Sequence, residues 1–255
     1  MALEKKRGII LQSKTIGEAD AMLTLLSEDG SKLKFLVKGI KKSKNRPIVA
    51  SEIGSIVCID FYFHANVSNV YNVKEISLEK RHDSIKNDYI STLFLFFFLE
   101  LMEKTIPEGE KESRSFTLLY LALEGLEKYG SNIIILPFFK YKLLLGLGVI
   151  PKDFLCKKCG TILTEEKFAK INSYTFEATC SKCENFDDRD NDIEILKFFK
   201  EITKKNYDSI LKDTIPSTIL LKSDKILDKY IITYLGIETK SSEMLYRSLS
   251  ELKLI

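Results

Sequence analysis

No stretch of this sequence is long and apolar enough to cross a bilayer. Its most hydrophobic run, Leu93–Met102, has ten residues and contains Glu100, whereas a spanning helix needs about 20. A buried helix is therefore expected there, and no membrane role. A targeting leader is not expected either: Met1–Arg7 is charged and runs directly into Ile9–Leu11, with no long apolar core or small-residue cleavage site behind it. Histidine occurs twice, at His64 and His82, with no Ser or Cys in a recognisable nucleophile motif, so both read as surface or strand residues. The G-x-x-x-x-G-K-[ST] phosphate loop is missing, which disfavours an ATP-driven role. The H-x-E…P-C-x-x-C pattern of zinc deaminases is missing too, as are internal repeats and low-complexity tracts. The expectation left by these absences is a cytoplasmic protein that is not an enzyme.

What is present is a globular balance. Of 255 residues, 45% are hydrophobic and 29% charged, enough for two compact units or one large one. The first eighty residues carry strand-like alternation. Leu33, Phe35 and Val37 alternate with Lys32, Lys34 and Leu36, and Val57, Ile59, Phe61 and Phe63 alternate with Cys58, Asp60, Tyr62 and His64. Gly8–Leu11, Ala21–Leu26 and Val70–Ile76 supply three more candidate strands, and Asp29–Gly30 makes a good hairpin turn. Five short strands suggest a small barrel of the OB type. From Ile85 to Leu147 the apolar spacing becomes helical, with Gly130 at an expected helix stop and Pro137 in a first turn. Helical patterns resume over Ile193–Lys204, Ile219–Leu235 and Ser242–Leu252.

Between these helices stand two C-x2-C pairs, Cys156 with Cys159 and Cys180 with Cys183, separated by twenty residues. Each short knuckle can aim two thiolates at one ion, and the intervening stretch folds back to deliver the second pair. Gly160 eases the tight turn of the first knuckle. A tetrahedral structural zinc site is expected, since four thiolates close the coordination shell. Two disulfides would need an oxidising compartment, and a thioredoxin-like pair would need a βαβ setting. Cys58 reads as a small strand residue.

No acidic residue occurs from Gly30 to Ser51, while Lys32, Lys34, Lys38, Lys41, Lys42, Lys44 and Arg46 contribute +7. The whole chain carries +3, so the positive charge is concentrated. Lys32, Lys34 and Lys38 fall on one face of the expected strand and the other four in the loop after it. A cationic strand and loop on a small barrel suit a phosphate backbone, so these seven residues are the candidate DNA contacts. A solvated loop that only keeps the protein soluble is the bland alternative. Tyr62, Phe63 and Tyr71 could stack on bases, though core packing accounts for them more simply. No sequence-reading helix or finger is evident, so binding should tolerate any sequence.

The order of several short elements resembles a known family. Arg7–Gly8–Ile9–Ile10–Leu11, Gly17–Glu18–Ala19–Asp20, Leu23–Thr24–Leu25–Leu26, Asp29–Gly30 and Val37–Lys38–Gly39–Ile40–Lys41–Lys42 resemble the opening of RecO recombination mediators. The length, the helical second half and the late cysteine pairs agree with it. The resemblance implies an α+β fold: an N-terminal OB-type barrel over 1–80, then an all-helical domain over 81–255, interrupted at about 152–190 by a zinc-ribbon-like insert. It further implies binding to single- and double-stranded DNA and annealing of complementary strands. The implied partners are RecR and single-strand-binding protein, and the implied outcome is loading of RecA recombinase near the bacterial nucleoid. One departure stands out: where many relatives carry a basic K-S-R-like element, this chain reads Lys240–Ser241–Ser242–Glu243. Gly17, Glu18 and Asp20 are assigned a turn-stabilising role.

Two other readings compete. The helical domain could be a protein-interaction adaptor with incidental DNA binding, or the chain could be a zinc-containing nuclease. The run Asp187–Asp192 fails the calcium-loop pattern: counted from Asp188, Ile193 stands where Gly and Phe199 where Glu are required, so it reads as a solvated loop.

Overall fold

The alternating segments of the first eighty residues form five strands in the computed structural model, which describes residues 2–43, 47–63, 70–109, 111–186 and 191–254. They are β1 (Ala2–Ile16), β2 (Asp20–Ser27), β3 (Lys32–Val37), β4 (Ile56–Phe63) and β5 (Val70–Lys80). Their order is β1-β2-β3-β5-β4, and β4 returns to β1, so the sheet closes into a barrel. The residues assigned inward by alternation do point inward. Ile10, Leu23, Leu25, Phe35, Val37, Val57, Ile59 and Phe61 share one apolar core. The Asp29–Gly30 turn joins β2 to β3, with Gly30 at φ +85°, a left-handed conformation that glycine adopts without strain. Burial opposes ionisation of Asp29, but Lys6 and the hydroxyls of Ser27 and Ser31 outweigh it and hold the carboxyl well below the usual range.

Three helices follow: α1 (Asp83–Asn87), α2 (Tyr89–Thr105) and α3 (Ser113–Tyr129). The apolar run lies in α2, where Leu93–Leu95, Phe97–Leu99, Leu101 and Met102 are buried. The Asp88 carboxylate starts this helix by accepting from the Ser91 N–H at 2.7 Å. Among the described residues no helix is long and apolar enough to cross a membrane. Gly130 ends α3 as expected, at φ +72°.

The chain forms two compact units: Met1–Gly130 with Thr239–Ser248, and Ser131–Glu238 with Leu249–Ile255. The second contains α4 (Ile135–Gly146), a small antiparallel pair β6 (Ala169–Ile171) and β7 (Ala178–Cys180), α5 (Ile193–Lys204), α6 (Tyr207–Ile210) and α7 (Ser217–Tyr230). A wider π turn continues α7 through Ile231–Leu235. The last helix, α8 (Lys240–Glu251), contains the Lys240–Glu243 element. The architecture is α+β: an N-terminal five-stranded sheet, then helices carrying a cysteine-bearing excursion.

Candidate metal centre and cationic loop

Cys156 and Cys159 flank a turn built from backbone bonds. The Cys156 N–H donates to Thr161 O and the Gly160 N–H to Cys156 O, both at 2.8 Å. Leu155 and Ile162 bridge the base of that turn, and a second bridge joins Cys156 to Ala178 on β7. Cys180 ends β7, and the N–H groups of Cys183 and Glu184 fold back onto its carbonyl at 3.0 and 3.2 Å. All four Sγ atoms consequently lie within 4.8 Å of one another.

Zn–S bonds of about 2.3 Å in a tetrahedron place sulfurs about 3.8 Å apart. Cys159 Sγ and Cys180 Sγ stand at 3.7 Å, so the cluster could hold such an ion. That separation is far beyond a disulfide of about 2.05 Å, and all five cysteines are free thiols. Burial pushes the Cys156 thiol up, but backbone N–H groups of Cys180, Cys159 and Lys158 outweigh it and bring it down to about 6. The Thr161 hydroxyl lowers Cys159. Hydrogen bonding to Cys159 and Cys180 instead pushes Cys183 up to about 12. A dication would displace the thiol protons and compensate the crowded negative charge.

Downstream, Asp187–Asp190 lie outside the described residues, but the end of that acidic run is no solvated loop. Asn191 Oδ1 accepts from the Ala169 N–H at 3.1 Å, and Asp192 Oδ2 from the Ile171 N–H at 2.9 Å. Asp192 is 4% exposed, and its other carboxylate oxygen meets Lys222 Nζ at 2.6 Å. Two side chains thus continue the edge of β6 where a third strand would lie.

The basic segment is divided by its surroundings. Lys32 and Lys34 lie on β3 and are half-buried; Lys32 Nζ donates to Glu103 O at 2.6 Å and Lys34 pairs with Glu108. Lys38 lies one residue beyond β3, in the turn, and not on the strand as alternation suggested. Lys38, Lys41 and Lys42 are exposed. Lys44 and Arg46 lie outside the described residues. The exposed lysines sit against the β1–β2 turn: Lys41 Nζ donates to Thr15 Oγ1 at 2.6 Å, and Lys42 Nζ meets Glu18 Oε2 at 2.8 Å. Asp20 Oδ1 accepts from the Gly39 N–H at 2.7 Å. The G-E-x-D and K-G-x-K-K elements, separate in sequence, are therefore one structural unit. Phe63 and Tyr71 stack on each other at 5.8 Å, and Tyr71 also packs on Phe61 at 5.1 Å, in keeping with a packing role.

Sequence reasoning missed two buried polar groups. His82 is 1% exposed, directly before α1, with Nδ1 3.1 Å from Gly54 O and Nε2 3.3 Å from Glu124; it is neither a surface nor a strand residue. His64 lies outside the described residues. In the second unit, fully buried Lys140 lies 2.8 Å from Asp224 and 2.5 Å from Asp228. Burial lowers the affinity of Lys140 for its proton, but the two carboxylates more than compensate and raise its pKa. Lys–x83–Asp spacing has no signature in a single sequence. Cys58 donates to Glu79 at 2.8 Å, and burial together with that carboxylate pushes its thiol up to about 11, an unreactive state.

Comparison with known proteins covers the whole chain. The family model for the Recombination protein O N terminal matches residues 1–80, and that for its C terminal matches residues 86–243. The DNA repair protein RecO of Leptospira biflexa is 35% identical over 254 residues, covering 99% of this chain and 100% of the relative. Those of Caldanaerobacter subterraneus and a Thermoanaerobacter species are 25% and 27% identical, over 95% and 96% of this chain and 97% and 98% of theirs. With both terminal models matched, at the positions where the barrel and the helices fold, the chain belongs to the RecO family of DNA repair and recombination proteins.

Proposed function

We propose that this chain is a non-enzymatic recombination mediator that binds single- and double-stranded DNA and anneals complementary strands. It would help load RecA recombinase onto DNA coated by single-strand-binding protein, with RecR as partner, in the cytoplasm at the nucleoid. The observation that carries this reading is the exposed lysine loop on a small closed barrel, in a chain of the RecO family. Lys32, Lys34, Lys38, Lys41, Lys42, Lys44 and Arg46 are the proposed phosphate contacts, with Lys38, Lys41 and Lys42 the most openly presented. Neutralising phosphates lets two strands approach, which is the physical requirement for annealing. Residues 1–80 would act as the DNA-binding domain, and 81–255, with the insert at about 152–190, as the partner-binding one. Zinc would be held by Cys156, Cys159, Cys180 and Cys183. It would supply structural closure and no chemistry, since four thiolates leave no position for water or substrate.

The test is fluorescence anisotropy of a labelled single-stranded oligonucleotide with wild type and a Lys41/Lys42/Lys44/Arg46→Ala variant across a salt series. Sequence-tolerant binding that the variant loses is expected. Equal, weak binding by both would remove the DNA reading and favour the adaptor role.

A further inference from the structure

The geometry points to opposite roles for two acidic residues of one turn: Asp20 positions the lysine loop for DNA, and Glu18 competes with DNA for it. The inference rests on the proposed DNA reading and deepens it. Glu18 meets Lys42 and Asp20 binds the backbone of Gly39, next to Lys38, so charge alone predicts that removing either one strengthens binding. Their contacts differ. Asp20 Oδ1 accepts from the backbone N–H of Gly39 at 2.7 Å, and the Lys41 N–H donates to the adjacent Ala19 carbonyl at 3.0 Å. These two bonds tie the turn between β1 and β2 to the loop after β3. Gly39 sits at φ +69°, which glycine reaches without strain, and the two bonds restrain a loop that this freedom would otherwise leave loose.

Among the described residues Glu18 accepts from no backbone N–H. Its side chain is 87% exposed and meets the ammonium of Lys42, itself 63% exposed, at 2.8 Å. An exposed pair of this kind contributes little to stability, but a phosphate approaching Lys42 must displace it. Glu18 is thus a built-in competitor that lowers non-specific affinity and weakens as salt screens it. Asp20, two residues on, costs some attraction for phosphate but keeps Lys38, Lys41 and Lys42 on one surface.

The experiment measures anisotropy of fluorescein-labelled oligo(dT) with the full chain, from about 50 to about 200 mM salt, alongside thermal melts. Asp20→Ala is expected to bind about fivefold more weakly, the scale of one lost hydrogen bond. Asp20→Asn keeps the acceptor, loses the charge, and is expected to bind at least as tightly as wild type. Glu18→Gln is expected to bind about two- to fivefold more tightly at low salt, with the gain shrinking as salt rises. Gly39→Ala has open space for its methyl but a strained backbone, and is expected to weaken binding from the loop side; it decides the matter if Asp20→Ala does not fold. Wild-type binding with Asp20→Ala or Gly39→Ala equal to or tighter than wild type overturns the positioning role alone. An unchanged or weakened Glu18→Gln overturns the competitor role. No binding by wild type removes the DNA reading and this inference with it.

Discussion

The barrel and the cysteine-bearing module become ordered by different means. The barrel gathers Phe35, Phe61, Leu23, Leu25, Ile59 and their neighbours into a continuous core, with seven or eight paired residues along most of its seams. The module between 152 and 190 has two three-residue strands. Its buried apolar side chains are few, chiefly Phe154, Leu163, Ile171 and Phe176. Phe154 and Phe176 lean on Phe199 of α5 at 6.2 and 5.6 Å. Segments of fewer than about 40 residues rarely bury enough surface to fold unaided, and a metal held by the four converging thiols would supply what the apolar residues do not. Charge separates the regions as well. Residues 30–51 hold seven basic groups and no acid, whereas 152–190 hold seven basic and eight acidic groups. On the proposed function, a phosphate backbone would be drawn to the first and not to the second.

Metal removal should break this comparison most sharply. Zinc binding in small metallo-domains contributes about 10–16 kcal/mol. Chelation or Cys180→Ser should therefore abolish stoichiometric zinc by mass spectrometry and strip hydrogen-exchange protection from β6 and β7. The barrel strands should keep theirs; equal loss in both regions would show that the barrel depends on the metal.

Next in size is the buried charge of the second unit. Lys140→Ala leaves Asp224 and Asp228 without their cation, at a cost of about 3–5 kcal/mol in denaturant unfolding. A Lys140→Met/Asp224→Leu pair should recover much of that loss, because it removes the unpaired charge with its partner. A pair as destabilised as the single variant would place the cost in packing.

The loop probes the barrel from its surface. Replacing Lys38, Lys41 and Lys42 by Ala should leave the melting temperature unchanged while reducing the log–log salt slope for single-stranded DNA by about 2, at about 0.7 per phosphate contact. A lowered melting temperature with an unchanged slope would make these lysines structural.

The smallest effect concerns Glu100, which caps α8. Its carboxylate accepts from the N–H groups of Lys240 and Ser241 at 3.1 and 2.8 Å. Burial opposes its ionisation, but Lys104 and Ser241 outweigh this and bring its pKa down to about 2. A depressed carboxylate stabilises the fold above its unfolded value of about 4.3 and loses that contribution as pH falls toward 2. Glu100→Gln should cost about 1 kcal/mol at neutral pH and flatten the acid limb of the melting curve; an unaltered limb would exclude this contact as its source.

Much of this organisation was legible in the sequence because periodicity and spacing are local. Alternation found two strands and short apolar stretches the other three, and helical spacing placed α5 at Ile193–Lys204, the bounds observed. The cysteine spacing found the quartet. Long-range partnerships were not legible. The strand expected at Gly8–Leu11 extends over Ala2–Ile16 because its polar flanks pair by backbone with β2 and β4, and backbone bonds leave no mark on residue type. The pairing of Lys32 and Lys34 with Glu103 and Glu108, the burial of His82, and the strand-like use of Asn191 and Asp192 all depend on chain segments that meet only after folding.

The barrel's five seams are not equal. Four join antiparallel neighbours, while β3 and β5 run parallel and, among the described residues, share Lys34↔Val70, Phe35↔Tyr71 and Leu36↔Asn72. A hairpin can zip from its turn, but a parallel seam has no turn to start from and must wait for the rest of the chain to return. Among the described residues this seam holds the fewest backbone pairs of the cylinder, and opening there would sacrifice the least. The stave that leads into the lysine loop is thus the one whose described seam holds least.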